Sequence, residues 1–144
     1  MKEINAIYVL DYAGNQIFSH EIQTQNDKSV DQALLNSFIS AIDSFTKELG
    51  EKKANAITLS DSKIFISRDE KYGILFVIQC IQSVKDNKIF KILNKIQEIF
   101  IKNYTKFLSM APNLREHVLS AFHKDINKIL IDSGMIASEK IKFL

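Results

Sequence analysis

The stretch Ala6-Ile7-Tyr8-Val9-Leu10-Asp11-Tyr12-Ala13-Gly14-Asn15-Gln16-Ile17-Phe18-Ser19 decides how the rest of the chain is read. From Ile4 to Leu10 the residues are β-branched, aromatic and almost continuously apolar, the pattern of a strand covered on both faces. Gln16 to Ile22 alternates between polar and apolar residues, as a half-covered strand does. Between them, Gly14 and Asn15 tolerate positive φ, which a short turn between right-twisted strands favours. The stretch therefore reads as a β-hairpin with positive φ expected at Gly14 or Asn15.

Working outward, Ser29 has capping-box spacing to Gln32, and Val30, Leu34, Phe38, Ala41, Ile42, Phe45 and Leu49 recur at helical period until Gly50. This predicts a helix from Val30 to Leu49. Ala54 to Leu59, Lys63 to Ser67 and Gly73 to Ile81 read as three more strands. Their connections, Ser60-Asp61-Ser62 and Asp69-Glu70-Lys71-Tyr72, are so short that neighbouring strands must run antiparallel. Helical period then holds from about Asp86 to Met110 and, beyond Pro112, from Asn113, which is spaced as a cap to Glu116, until Gly134.

The order β-β-α-β-β-β-α-α puts apolar residues on both faces of a sheet, which needs helices on both sides. The expected fold class is α/β (α+β): a three-layer α/β/α sandwich around a five-stranded antiparallel sheet of order 2-1-5-4-3. The first helix is expected on one face and the two C-terminal helices on the other. Tyr8, Phe38, Phe45, Phe76, Ile78, Phe100 and Phe122 are expected in the core. With 144 residues the chain reads as one domain, 1–144, residues 135–144 forming a C-terminal tail.

The chain is 46% hydrophobic and 25% charged, values that exclude a disordered or low-complexity protein. A net charge of +2 supplies no strong field for nucleic acid or an anionic membrane, and seventeen of the nineteen cations are lysines, so bidentate arginine contacts to phosphate are nearly lacking. No apolar run reaches the roughly 18 residues of a membrane span. The start lacks a signal-peptide pattern and the end lacks a prenylatable cysteine, so no membrane anchor is expected. A single cysteine, Cys80, forms no internal disulfide and suits a reducing cytoplasm. Within its apolar strand it reads as a buried, inert thiol.

Catalytic signals are scarce. The sequence has no G-x-x-x-x-G-K, G-x-G-x-x-G or G-x-S-x-G, and its four glycines are too scattered to cradle a phosphate. His20, His117 and His123 have no metal-site companions, and the last two lie about 240° apart around their helix, so they read as solvated or capping residues. No enzyme, cofactor or metal is expected. One surface does stand out. Leu35, Ile39 and Ile42 widen the apolar arc of the first helix beyond the ~100° that a one-sided helix needs. If the sheet order holds, they lie beside the edge strand Ala54 to Leu59, including Ala56 and Thr58, and this is the expected partner interface. Lys52 and Lys53 at the start of that strand suit the alternative, an edge guarded against unwanted pairing.

The opening hairpin, with Asp11 and Gly14 between two strands, resembles the start of longin domains, and the element order resembles that family over residues 1 to about 132. Roadblock domains share the sheet but usually begin with a helix, whereas this chain begins with a strand, which favours longin. Unlike SNARE longins, the chain has no heptad segment or membrane anchor after Gly134, so it resembles a stand-alone member. Its twenty-two isoleucines and seventeen lysines suit an AT-rich genome, such as that of an archaeon.

The resemblance implies a non-catalytic protein-interaction module of the cytoplasm. Such a module forms a homo- or heterodimer with another longin or roadblock domain and serves as a platform for a small Ras-like GTPase in a trafficking-like system. The alternatives are a structural subunit of a tethering or coat-like complex without GTPase binding, and an enzyme of profilin-like fold, which would need a pocket lined by perturbed titratable groups.

Overall fold

The hairpin forms around Asp11. Its carboxylate accepts hydrogen bonds from the backbone N–H of Ala13 and of Asn15, each 2.9 Å, and from the Asn15 side-chain amide. Gly14 closes the turn with φ +90°, as expected, and donates its N–H to the Asp11 carbonyl. In this computed structural model, which describes residues 3–22, 36–42, 44 and 56–135, the turn joins β1 (Ile4–Asp11) to β2 (Gln16–Glu21). The two strands pair antiparallel with Val9 opposite Phe18, and the register shifts at Val9/Leu10.

β3 (Ala56–Thr58), β4 (Ser62–Asp69) and β5 (Ile74–Ile81) follow. Every neighbouring pair is antiparallel and the order is β2-β1-β5-β4-β3, as the connectivity predicts. β1 and β5 are central and almost wholly buried, which accounts for their continuous apolar runs.

Alternate residues divide the sheet into two apolar faces. Tyr8, Leu10, Ile64, Ile66, Leu75 and Val77 form one core with Ile39, which comes from the helical residues 36–42 (α1). Ile7, Val9, Phe65, Phe76 and Ile78 form the other with α2 (Asp86–Asn103) and α3 (Pro112–Asp132). Aromatic rings knit the second core together. Phe100 meets Phe76 edge-on at 5.4 Å and Phe122 at 5.3 Å, and Phe18 meets Phe122 at 4.7 Å. Burying each such side chain is worth about 1.5–3 kcal/mol.

The structure corrects the sequence reading in several places. Phe38, expected in the core, is 41% exposed, while Ile39 is fully buried. At 100° per residue these two neighbours differ by more than a quarter turn, so the helix faces the sheet through Ile39 rather than Phe38. Phe45 lies outside the described residues. The helix expected to run from Asp86 to Met110 ends at Asn103 and gives way to a 3-10 turn at Thr105–Ser109. α3 begins at Pro112, not at an Asn113 cap. Pro112 holds Ala111 extended at ψ 145° and itself occupies the first helical turn, where its missing N–H costs nothing.

Candidate functional site

Of the expected partner surface, Ile39, Ile42, Ala56 and Thr58 are among the described residues. Leu35 and Ala54 lie outside the described residues. Ile39, with no exposed surface, belongs to the core and is not available to a partner. Ile42 is half-buried, and Ala56 and Thr58 are exposed on β3. β3 closes the sheet, and only β4 pairs with it among the described residues. Its register sets what each face offers. Ile57 sits opposite Ile64 and packs against the core that contains Ile39, whereas Ala56 and Thr58 sit opposite Phe65 and Lys63 and so project to the α2 side. Exposed apolar residues lie nearby in sequence on both elements: Phe38 on α1 and Leu59, 40% exposed, just after β3.

α1 is held in place by the hairpin. The Ser40 hydroxyl donates to the Tyr12 carbonyl at 2.6 Å, and a Cβ at Gly14 would come within 3.1 Å of the Asn36 carbonyl oxygen. Asn36 and Ser40 therefore mark one flank of α1. Phe38 and Ile42 lie on the opposite flank, 60° to 100° round from Ile39 at about 100° per residue.

The other sheet edge carries an arrangement the sequence reading missed. His20 on β2 is only 9% exposed, and its Nδ1 lies 2.6 Å from Nδ1 of His123 on α3. The Phe18 ring packs on His123 with centroids 4.5 Å apart, and the Asn127 side chain hydrogen-bonds His20. Burial lowers the pKa of both imidazoles below the usual 6.5, and for His20 the nearby His123 adds to the effect while Asn127 opposes it. Beside the pair, β2 and α3 border a groove of about 390 Å³ whose lining includes Gln16, Ser19, Glu116 and Ser120. Strand parity carried the missing signal: His20 is two residues from Phe18 and so shares its inward face. His117 is exposed, as the sequence reading expects.

Elsewhere, polar groups serve packing. The Tyr104 hydroxyl donates to the Asp125 carboxylate at 2.5 Å and ties α2 to α3; burial, then this contact, pushes the phenol up to about 12. Gln97 on α2 hydrogen-bonds the Ser67 hydroxyl and the Arg68 carbonyl on β4. Burial raises the Cys80 thiol to about 12, which makes it a poor nucleophile. Among the described residues no three His, Cys, Asp or Glu side chains converge as a metal site, and no helix is long and apolar enough to cross a membrane.

The fold has solved counterparts. The chain is similar to a Roadblock/LC7 domain from Streptomyces avermitilis, with TM-score 0.52 and 11% identity over 74% of this chain and 86% of that one. It is similar to MglB from Myxococcus xanthus, with TM-score 0.50 and 18% identity over 69% and 85%. It is also similar to the mammalian SRP receptor, with TM-score 0.56 and 11% identity over 93% and 97%. These likenesses show that the chain has the roadblock/longin fold. No protein-family model matches the chain, and no curated protein matches it significantly in sequence.

Proposed function

We propose that this chain is a non-catalytic longin-type interaction module that pairs through β3 with a second copy or a related longin or roadblock domain. The resulting pair serves as a platform for a small Ras-like GTPase in a trafficking-like system. The observation that carries this reading is β3, three residues long, paired only with β4 among the described residues, exposed at Ala56 and Thr58 and followed by the exposed apolar Leu59; Phe38 is a second exposed apolar side chain, on α1. An unpaired strand edge offers N–H and C=O groups to a second strand, and flanking apolar surface supplies a dry contact around them. The roadblock/longin fold agrees with a binding role.

The test is sedimentation of the wild type and of Phe38→Asp/Leu59→Asp over a range of concentrations, with circular dichroism to confirm folding. Capture of the source organism's small GTPases on the immobilised chain follows. The expected result is a wild-type dimer that retains a GTPase and a folded double variant shifted toward monomer. A wild type that self-associates but captures no GTPase favours the tethering- or coat-subunit reading. A wild type that stays monomeric, captures no GTPase and pairs with no longin or roadblock domain overturns the proposal.

A further inference from the structure

We propose that His20 and His123 form a pH-operated latch between the edge strand β2 and α3, closed while the pair carries at most one excess proton and opened by the second. The geometry limits the protonation states. Two Nδ1 atoms 2.6 Å apart can share one hydrogen between them, so one nitrogen must present a lone pair. When both rings are neutral, one Nδ1–H donates to the other Nδ1. A single added proton leaves a donor and an acceptor in place and makes the bond charge-assisted. When both rings are protonated, two N–H groups point at each other and two positive charges meet. The contact cannot survive that state.

The surroundings offer the second charge little relief. On β2, Glu21 follows His20 and so points to the other face. On β1, Ile7 sits opposite His20. On α3, Asp125 is engaged by the Tyr104 hydroxyl of α2, and Asn127 bonds His20 with a neutral amide. Glu116 borders the groove two helical turns before His123, while Lys124 and Lys128 add positive charge to the same helix. Neither imidazole is ion-paired with a carboxylate among the described residues. The pair takes up its two protons in two coupled steps that belong to both rings together, the second against burial and a like charge.

Opening need not unfold the domain, because α3 is also held to α2 by Phe122 against Phe100 and by Tyr104 on Asp125. What the second proton releases is the β2 side of α3. The groove between them then widens and uncovers the side of Phe18 that packs on His123, its contact with Phe122 remaining, so acid adds an accessible apolar surface at the sheet edge opposite β3. The device is independent of any pairing through β3.

The experiment is an NMR titration of the wild-type imidazoles from about pH 8 to about pH 4, with amide-exchange protection factors, corrected for intrinsic rates, measured alongside. Two coupled steps are expected, the second well below the ordinary histidine value. As it completes, protection in β2 and in residues 116–123 should fall about tenfold or more while β5 keeps its protection. His123→Gln, which keeps a hydrogen-bonding group but cannot be charged, should abolish that selective loss. Two independent steps near the ordinary value, or protection that falls equally in β2 and β5, overturn the latch. So does an unchanged response in His123→Gln, and the wild-type titration decides the matter even if that variant does not fold.

Discussion

At Gly14 a local and a tertiary demand coincide. The Asp11 turn needs φ +90° there, and the Asn36 carbonyl and Ser40 Cβ approach so closely that any Cβ would press on α1 at 3.1 to 3.4 Å. Gly14→Val should therefore destabilise by at least the roughly 1–2 kcal/mol that a left-handed conformation costs an L-residue, read as a lower melting temperature at unchanged native circular dichroism. The turn was legible because glycine and asparagine declare it locally. The approach of α1 was not, since it depends on how a distant helix docks. Tyr104 gives a pH-dependent case. Its phenol, ordinarily near 10.0, is pushed up to about 12 in the fold, so the folded state holds the proton more tightly than the unfolded chain does. The stabilisation is full below pH 10 and is lost as pH rises from there toward about 12. Tyr104→Phe cannot ionise, so denaturant unfolding at stepped pH should show a shallower decline across that window than in the wild type; parallel declines would assign the loss to other groups.

At the scale of the element, α1 separates what periodicity can say from what it cannot. Phe38 and Ile39 both belong to a wide apolar arc, and spacing alone does not reveal the arc's centre. Only docking on Tyr8, Ile64, Ile66 and Val77 selects Ile39. The consequence is an asymmetric pair of variants. Ile39→Asp puts a carboxylate in a position with no solvent exposure and should cost several kcal/mol, on the order of 3 or more, enough to unfold much of the chain. Phe38→Asp, at a position 41% exposed, should leave the melting temperature nearly unchanged. The reverse outcome would mean that the helix faces the sheet through Phe38. The strands were more legible than the helix faces, because short connections and continuous apolar runs in β1 and β5 leave few ways to order a sheet. The end of α2 was not legible. Apolar residues keep a near-helical rhythm through Phe107 and Leu108, and the break at Tyr104 is set by the 3-10 turn that leads to Pro112. His20 and His123 lie 103 residues apart, and each looks unpartnered until the hairpin and α3 meet.

Across the whole molecule, the two faces of the sheet are filled and the two edges are unequal. β2 has α3 beside it, linked through Phe18, Phe122 and the histidine pair, while β3 is paired only with β4 among the described residues and exposes Ala56 and Thr58. A net charge of +2 on 144 residues leaves no strong field to steer or oppose association. Pairing through β3 would then rest on strand hydrogen bonds and apolar contact rather than on charge, and it should respond to salt accordingly. Raising ionic strength from about 0.05 M to about 0.5 M shortens the screening length severalfold, which weakens charge-driven contacts and leaves strand addition nearly untouched. The self-association constant from sedimentation should stay within about threefold over that range, a change worth less than about 1 kcal/mol. A steep fall with salt would place the interface on charged side chains instead. Loss of association in Phe38→Asp/Leu59→Asp together with salt insensitivity would locate it beside β3, which has only β4 as a paired neighbour among the described residues.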